Sequence, residues 1–137
     1  MADRSARRLV TIFFFPTLVA ILWVAGLVGC GPKGPVVGRV SGTITFDSQP
    51  LPGAMISFIP EQGKESNGYT DENGQYQLIY TRDIQGALVG THTVVITTAS
   101  EHQPKERLPE KYHVKSELRK EVKKRSNTID FDLNSES

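Results

Sequence analysis

Few residues of this chain have the types and spacing that chemistry requires. It has one cysteine, Cys30, and three histidines, His92, His102 and His113. The histidines stand ten or more positions apart, whereas a local zinc motif places its ligands within a few residues of each other. The sequence therefore predicts no zinc site, and any sulfur chemistry belongs to Cys30.

The segment "DENG" has oxygen ligands at the spacing with which a calcium loop begins. Asp71 and Asn73 would be its first two ligands, but an EF-hand loop needs a bidentate Glu about 11 residues after the first Asp. Arg82 stands there instead. A tight turn also uses Asp, and Asn-Gly accepts the positive φ that such a turn needs. We predict the turn of a β-hairpin over residues 68–80, keep Asp71 and Asn73 as weak metal candidates, and expect neither a metal nor a cofactor.

Catalysis is not indicated. Serines, histidines and aspartates are present, but no nucleophile elbow or similar context arranges them as a triad. His92 alternates with Val94 and Ile96, so we expect it to be a packed residue at the edge of a β-sandwich and not a ligand. We expect that the chain is not an enzyme.

The amino-terminal segment resembles an export signal. Residues 1–8 contain three arginines and one acid, and residues 9–28 contain no charge. A basic start, an apolar run and small residues after it are the parts of a secretory signal peptide. At about 1.5 Å per residue, the same apolar run could also cross the ~30 Å core of a bilayer as an uncleaved helix.

The end of the apolar run favours the signal peptide. Leu27, Val28, Gly29 and Cys30 resemble the lipobox of bacterial lipoprotein precursors. The resemblance implies cleavage between Gly29 and Cys30, a diacylglyceryl group on the sulfur and a further acyl chain, such as palmitate, on the freed amine. Two or more acyl chains make membrane anchorage effectively permanent. We expect an exported protein held in the bacterial cell envelope, in a leaflet that the sequence leaves open.

Composition divides the chain into four parts. Residues 1–29 are the predicted lipoprotein signal peptide, residues 30–36 the lipidated cysteine and a Gly/Pro tether, residues 37–133 one globular domain, and residues 134–137 a polar tail. The tether spans only about 20 Å when extended, so the domain is expected to stay near the membrane. Basic and acidic residues nearly balance after the signal, which argues against nucleic acid as a partner.

The domain alternates apolar and polar residues in short runs that turn residues separate. No apolar stripe of helical period persists between residues 36 and 98. The pattern predicts an all-β fold, an antiparallel Greek-key β-sandwich of about seven strands. Alternation places on one face of each strand the sets Val40, Gly42, Ile44 and Phe46; Tyr76, Leu78 and Tyr80; and Ile129, Phe131 and Leu133, and we expect Phe58 and Phe131 in the core.

Three blocks in order resemble one family. They are "VSGTITFDSQPLPGAMISFIP", "YTDENGQYQL" and "GALVGTHTVVI", and they are similar to the carboxypeptidase regulatory-like domain, a transthyretin-like (prealbumin-like) sandwich. The resemblance covers roughly residues 37–98, and residues 116–133 supply the last strands. It departs from the family pattern at Ser48, where glycine is usual, and at His92, where an aromatic is usual. With its lipobox, the chain resembles small bacterial lipoproteins that contain one such sandwich.

The later part of the domain is polar and basic. Residues 100–118 form a long connection that we expect Leu108 and Tyr112 to pin to the core. The basic residues that follow are Lys120, Lys123, Lys124 and Arg125. Lysines on an edge strand protect it against strand addition. The same residues are also candidates for contact with an anionic surface.

Three functions remain open. We favour a non-catalytic, membrane-anchored envelope lipoprotein whose sandwich is an interaction or structural module, with an envelope protein or polysaccharide as partner. The alternative is a carbohydrate or envelope-polymer binding module; it would rely on tyrosines such as Tyr69 and Tyr112, because the only tryptophan, Trp23, lies in the signal. The third is a transthyretin-like hydrolase, whose typical Y-R-G-S motif does not occur.

Overall fold

The computed structural model describes residue 31 and residues 34–136, and within them the chain is all-β apart from a single 3₁₀ turn, η1 (Glu110–Tyr112). The predicted all-β class is confirmed. The strands are β1 (Val37–Gly38), β2 (Val40–Phe46), β3 (Gln49–Pro50), β4 (Met55–Pro60), β5 (Ser66–Tyr69), β6 (Gln75–Gln77), β7 (Ile79–Thr81), β8 (Ile84–Gln85), β9 (Ala87–Leu88), β10 (Gly90–Thr97), β11 (Arg119–Val122), β12 (Asn127–Thr128) and β13 (Phe131–Leu133).

The predicted signal peptide, lipobox and Cys30 lie outside the described residues. In the described part of the chain, no helix is long and apolar enough to cross a membrane.

The larger sheet has six strands in the order β11, β10, β4, β5, β7, β8, and every neighbouring pair is antiparallel. Its two longest strands, β4 and β10, lie side by side with Val94 opposite Phe58. Because β10 is flanked by β4 and β11, His92 is on an internal strand. His92 is packed, as expected, but its strand is not an edge strand.

The second sheet is built around β2. Strands β3 and β6 pair with it antiparallel, whereas β12 and β13 pair with it parallel. The predicted antiparallel pairing does not extend to β12 and β13. These strands follow β11 of the larger sheet, not a hairpin from β2, and only a hairpin would require the antiparallel direction. Strands β1 and β9 form a small separate pair.

The two larger sheets share one core. Strands β4 and β10 contribute Ile56, Phe58, Val94 and Ile96, while β2 and β13 contribute Val40, Ile44, Phe131 and Leu133, all buried. Phe58 and Phe131 meet edge to face, with ring centroids 6.4 Å apart, an arrangement that aromatic pairs favour. The predicted inward faces of these strands are confirmed.

The long connection over residues 100–118 is pinned as predicted. Leu108 and Tyr112 are both buried in the core. Asn134 donates its backbone N–H to the Tyr112 hydroxyl oxygen at 3.1 Å, which ties the connection to the end of β13. Because Tyr112 is only 7% exposed, it cannot serve as the sugar-stacking surface that the sequence suggested.

Candidate functional site

Asp71 and Asn73 form a turn. The Asp71 Oδ1 accepts the backbone N–H groups of Asn73 and Gln75, both at 2.9 Å, and Gly74 has a φ of 73°. The predicted turn is present, with a glycine at the position that needs positive φ. The predicted hairpin is only partly formed, because β5 pairs antiparallel with β7 in the larger sheet, whereas β6, directly after the turn, pairs with β2 in the second sheet. Among the described residues there is no group of three or more His, Cys, Asp or Glu side chains placed to hold a metal ion.

His92 is a packed core residue. It is 1% exposed, and its ring centroid lies 5.7 Å from that of Phe58. Its Nδ1 donates to the Gly90 carbonyl oxygen at 3.0 Å, while its buried Nε2 has no hydrogen-bond partner among the described residues. Burial lowers the pKa of His92, and the bond to Gly90 only partly opposes that effect.

An open groove of about 1010 Å³ lies on the described surface. It lies where the chain leaves the second sheet at β6 and joins the larger sheet at β7. Tyr76, below the groove, donates its hydroxyl to the Ile129 carbonyl oxygen at 2.6 Å. Burial, assisted by the charge of Asp130, raises the pKa of this hydroxyl far above its usual value, so Tyr76 is a neutral structural support.

Planar, amide and charged side chains share this groove. Tyr69 is 69% exposed and Ile79 is 52% exposed. The amide side chains are those of Asn67, Gln75 and Gln77, and the charged ones include Lys64, Glu65, Arg82 and Asp130. Asp71 also lines the groove, so its acids outnumber its bases three to two. A flat ring beside amides suits a polar ligand, because the ring offers a stacking surface and the amides both donate and accept hydrogen bonds.

The basic residues are divided into two groups. Lys120 lies on the same face of β11 as the buried Val122, and its Nζ is 5.5 Å from the centre of the Phe131 ring. A lysine directed inward on the edge strand of the sheet is one of the devices that prevent edge-to-edge pairing. Lys123, Lys124 and Arg125 instead project from the turn between β11 and β12 and are exposed.

We call residues 123–126 the basic turn. The Asn127 side chain closes it, since Nδ2 donates to the carbonyl oxygens of Lys123 at 3.0 Å and Arg125 at 2.7 Å, and Oδ1 accepts the Lys123 N–H at 3.0 Å. The same Nδ2 donates to the Arg39 carbonyl oxygen at 3.0 Å. These contacts bring the exposed Arg39 beside the basic turn, which the sequence did not predict.

Gly38 allows this close approach. A Cβ atom at Gly38 would lie 2.0 Å from the Lys123 carbonyl oxygen and 3.0 Å from that of Arg125. The backbone of the basic turn therefore occupies the space that a side chain would take. As a result, the basic turn lies against the first residues of the domain, directly after the Gly/Pro tether.

No protein-family model matches this chain, and no curated protein matches it. The similarity to carboxypeptidase regulatory-like domains therefore remains a prediction that depends on the three quoted blocks.

Proposed function

We propose that this protein is a non-catalytic lipoprotein of the bacterial cell envelope, anchored through Cys30, whose β-domain is a transthyretin-like Greek-key sandwich that acts as an interaction module. The observation that supports a role as an interaction module is the open groove with its exposed Tyr69. A domain that served only as a spacer would need no such concavity.

The anchor is supported by the sequence around Cys30 and by the short distance to the domain. The lipobox-like residues end at Cys30, and β1 begins at Val37. The intervening residues 31–36 span at most about 20 Å. The groove would thus be held close to the membrane surface, where an envelope protein or polysaccharide can reach it.

The anchor is tested by replacing the cysteine. Cys30→Ala should abolish incorporation of labelled palmitate and block cleavage between Gly29 and Cys30, as read by intact mass. Gly29→Ala is the matched control, because the position before the cysteine accepts small residues and lipidation should persist. Mature protein with an unmodified Cys30 thiol would rule out the lipoprotein.

A second candidate is a carbohydrate or envelope-polymer binding module, and Tyr69 is the observation in its favour. A tyrosine ring that is 69% exposed beside three amide side chains has the groups with which a sugar ring can stack and bond. Tyr69→Ala should reduce retention on purified envelope polysaccharide without lowering the melting temperature. Val114→Ala is the control, because Val114 is equally surface-exposed but lies outside the groove; equal retention by both variants would remove this candidate.

A further inference from the structure

We propose that the basic turn and Arg39 together form a docking surface for anionic lipid headgroups, which fixes how the domain is oriented on its own membrane. This inference rests on the proposed lipid anchor at Cys30. The proposed surface differs from the set of cations that the sequence suggested, because the surface includes Arg39 and excludes Lys120.

The basic turn and Arg39 together carry a concentration of positive charge. Residues 36–40 and 123–127 contain four cations, Arg39, Lys123, Lys124 and Arg125, and no acid. All four are exposed. The ion pairs among the described residues join Lys115 to Glu110 and Arg119 to Glu61, so none of the four cations is neutralised by one. Because residues 31–137 as a whole carry 13 cations and 14 acids, four cations without an acid among them concentrate positive potential at this place.

The two backbone segments that carry these cations are preorganised by Asn127. The Asn127 side chain bonds to three backbone carbonyl oxygens, those of Arg39, Lys123 and Arg125. These bonds hold the two chain segments that carry the cations against each other. Binding therefore does not have to order the backbone, and that reduces the entropy cost of forming the contact.

The basic turn lies beside β1, the strand that follows the tether. The tether joins Cys30 to β1, and Gly38 in β1 is in direct backbone contact with the basic turn. Arg39 is nine residues from Cys30, which is at most about 30 Å along an extended chain, and the basic turn lies against the neighbouring Gly38. An anionic membrane attracts basic residues only near its surface, within a screening length of about 10 Å, and the short tether keeps this end of the domain in reach of that zone.

The test uses the mature lipidated protein in vesicles. Intact mass first shows whether Cys30 carries lipid, which separates failure of the anchor from failure of this inference. The protein is then reconstituted into phosphatidylcholine vesicles with or without phosphatidylglycerol. Acylation of each lysine and dicarbonyl modification of each arginine are followed by mass spectrometry.

Lys123, Lys124, Arg39 and Arg125 should become at least about fivefold less reactive in the anionic vesicles, and the protection should disappear between about 50 and 500 mM salt. Lys64 and Lys105, which are exposed elsewhere, should not change. Equal reactivity of the four residues in both kinds of vesicle, in protein that carries the lipid, would overturn the inference.

Charge reversal gives an independent readout. In K123E/K124E, Arg39 and Arg125 should react in anionic vesicles as fast as in neutral ones. In the matched control K64E/K105E, which makes the same change in net charge at exposed sites, Arg39 and Arg125 should stay protected. Protection that persists in K123E/K124E would show that lipid charge is not its cause and would also overturn the inference.

Discussion

Thr98 donates its hydroxyl to the Glu106 carboxylate at 2.5 Å and its backbone N–H to the same carboxylate at 3.0 Å. The Thr97 hydroxyl and the Leu108 N–H also donate to this carboxylate. Glu106 thus fastens the start of the long connection to the end of β10 and sets the position from which Leu108 enters the core.

The first prediction concerns Glu106. Partial burial alone would raise the pKa of Glu106, but the bonds from Thr97, Thr98 and Leu108 outweigh it and lower the pKa to about 2. Glu106→Gln should lower the free energy of unfolding at pH 7 by about 1–3 kcal/mol, because it weakens charge-assisted hydrogen bonds. Urea unfolding measures the loss.

The pH dependence of that loss has a definite sign. A carboxylate whose pKa is lower in the folded state stabilises the fold above the unfolded-state pKa, near 4.5 here, and the stabilisation is lost as pH falls toward about 2. The difference between wild type and Glu106→Gln should therefore shrink from pH 5 to pH 3. Glu101→Gln, at an exposed site, is the control; a gap that stays constant over this range would contradict the assignment.

The second prediction concerns the contact between the two sheets. Phe58 is 0% and Phe131 5% exposed, so truncation of either to alanine removes buried surface and leaves a cavity. Each change should cost about 3–5 kcal/mol of unfolding free energy. Ile79→Ala, at a residue that is 52% exposed, should cost less than about 1 kcal/mol. Losses of that small size at both phenylalanines would mean that they do not join the sheets.

Alternation along single strands could be predicted because it depends only on neighbours in sequence. Ile44 in β2 and Phe131 and Leu133 in β13 are buried where the period of two places them. The same rule places Lys120 on the inward face with Val122. Charge alone, without this alternation, places Lys120 among the exposed cations.

The remaining features depend on contacts between distant segments. Arg39 lies beside the basic turn because β12 pairs with β2 in parallel. No local sequence pattern predicts that pairing. Glu106 is one acid among many in a polar stretch, and its role follows only from how the connection folds back onto β10. For the same reason, the internal position of His92 could not be derived from β10 alone.

The third prediction concerns Ser48, which stands where the family that the sequence resembles usually has glycine. Asp47 and Ser48 form the two-residue turn between β2 and β3, with φ values of 49° and 66°. Both φ values are positive, as in a type I′ turn, where glycine is favoured because it has no Cβ. Ser48→Gly should raise the free energy of unfolding by about 0.5–1 kcal/mol. Ser48→Ala, which keeps a Cβ, should give no gain, and an equal gain from both would contradict the explanation.

The last prediction concerns His92. Because burial lowers its pKa, the ring stays neutral in the folded protein at pH values where the unfolded chain takes up a proton. The contribution of neutral His92 to the free energy of unfolding should therefore be fully present above the unfolded-state pKa of about 6.5. Below that pH the free energy of unfolding should fall, by no more than about 1.4 kcal/mol per pH unit. His92→Phe should flatten the decrease between pH 7 and pH 5, since phenylalanine does not titrate, whereas the exposed His102→Gln should leave it unchanged. Urea unfolding across this range measures both slopes, and an unchanged slope in His92→Phe would show that His92 is not the group responsible.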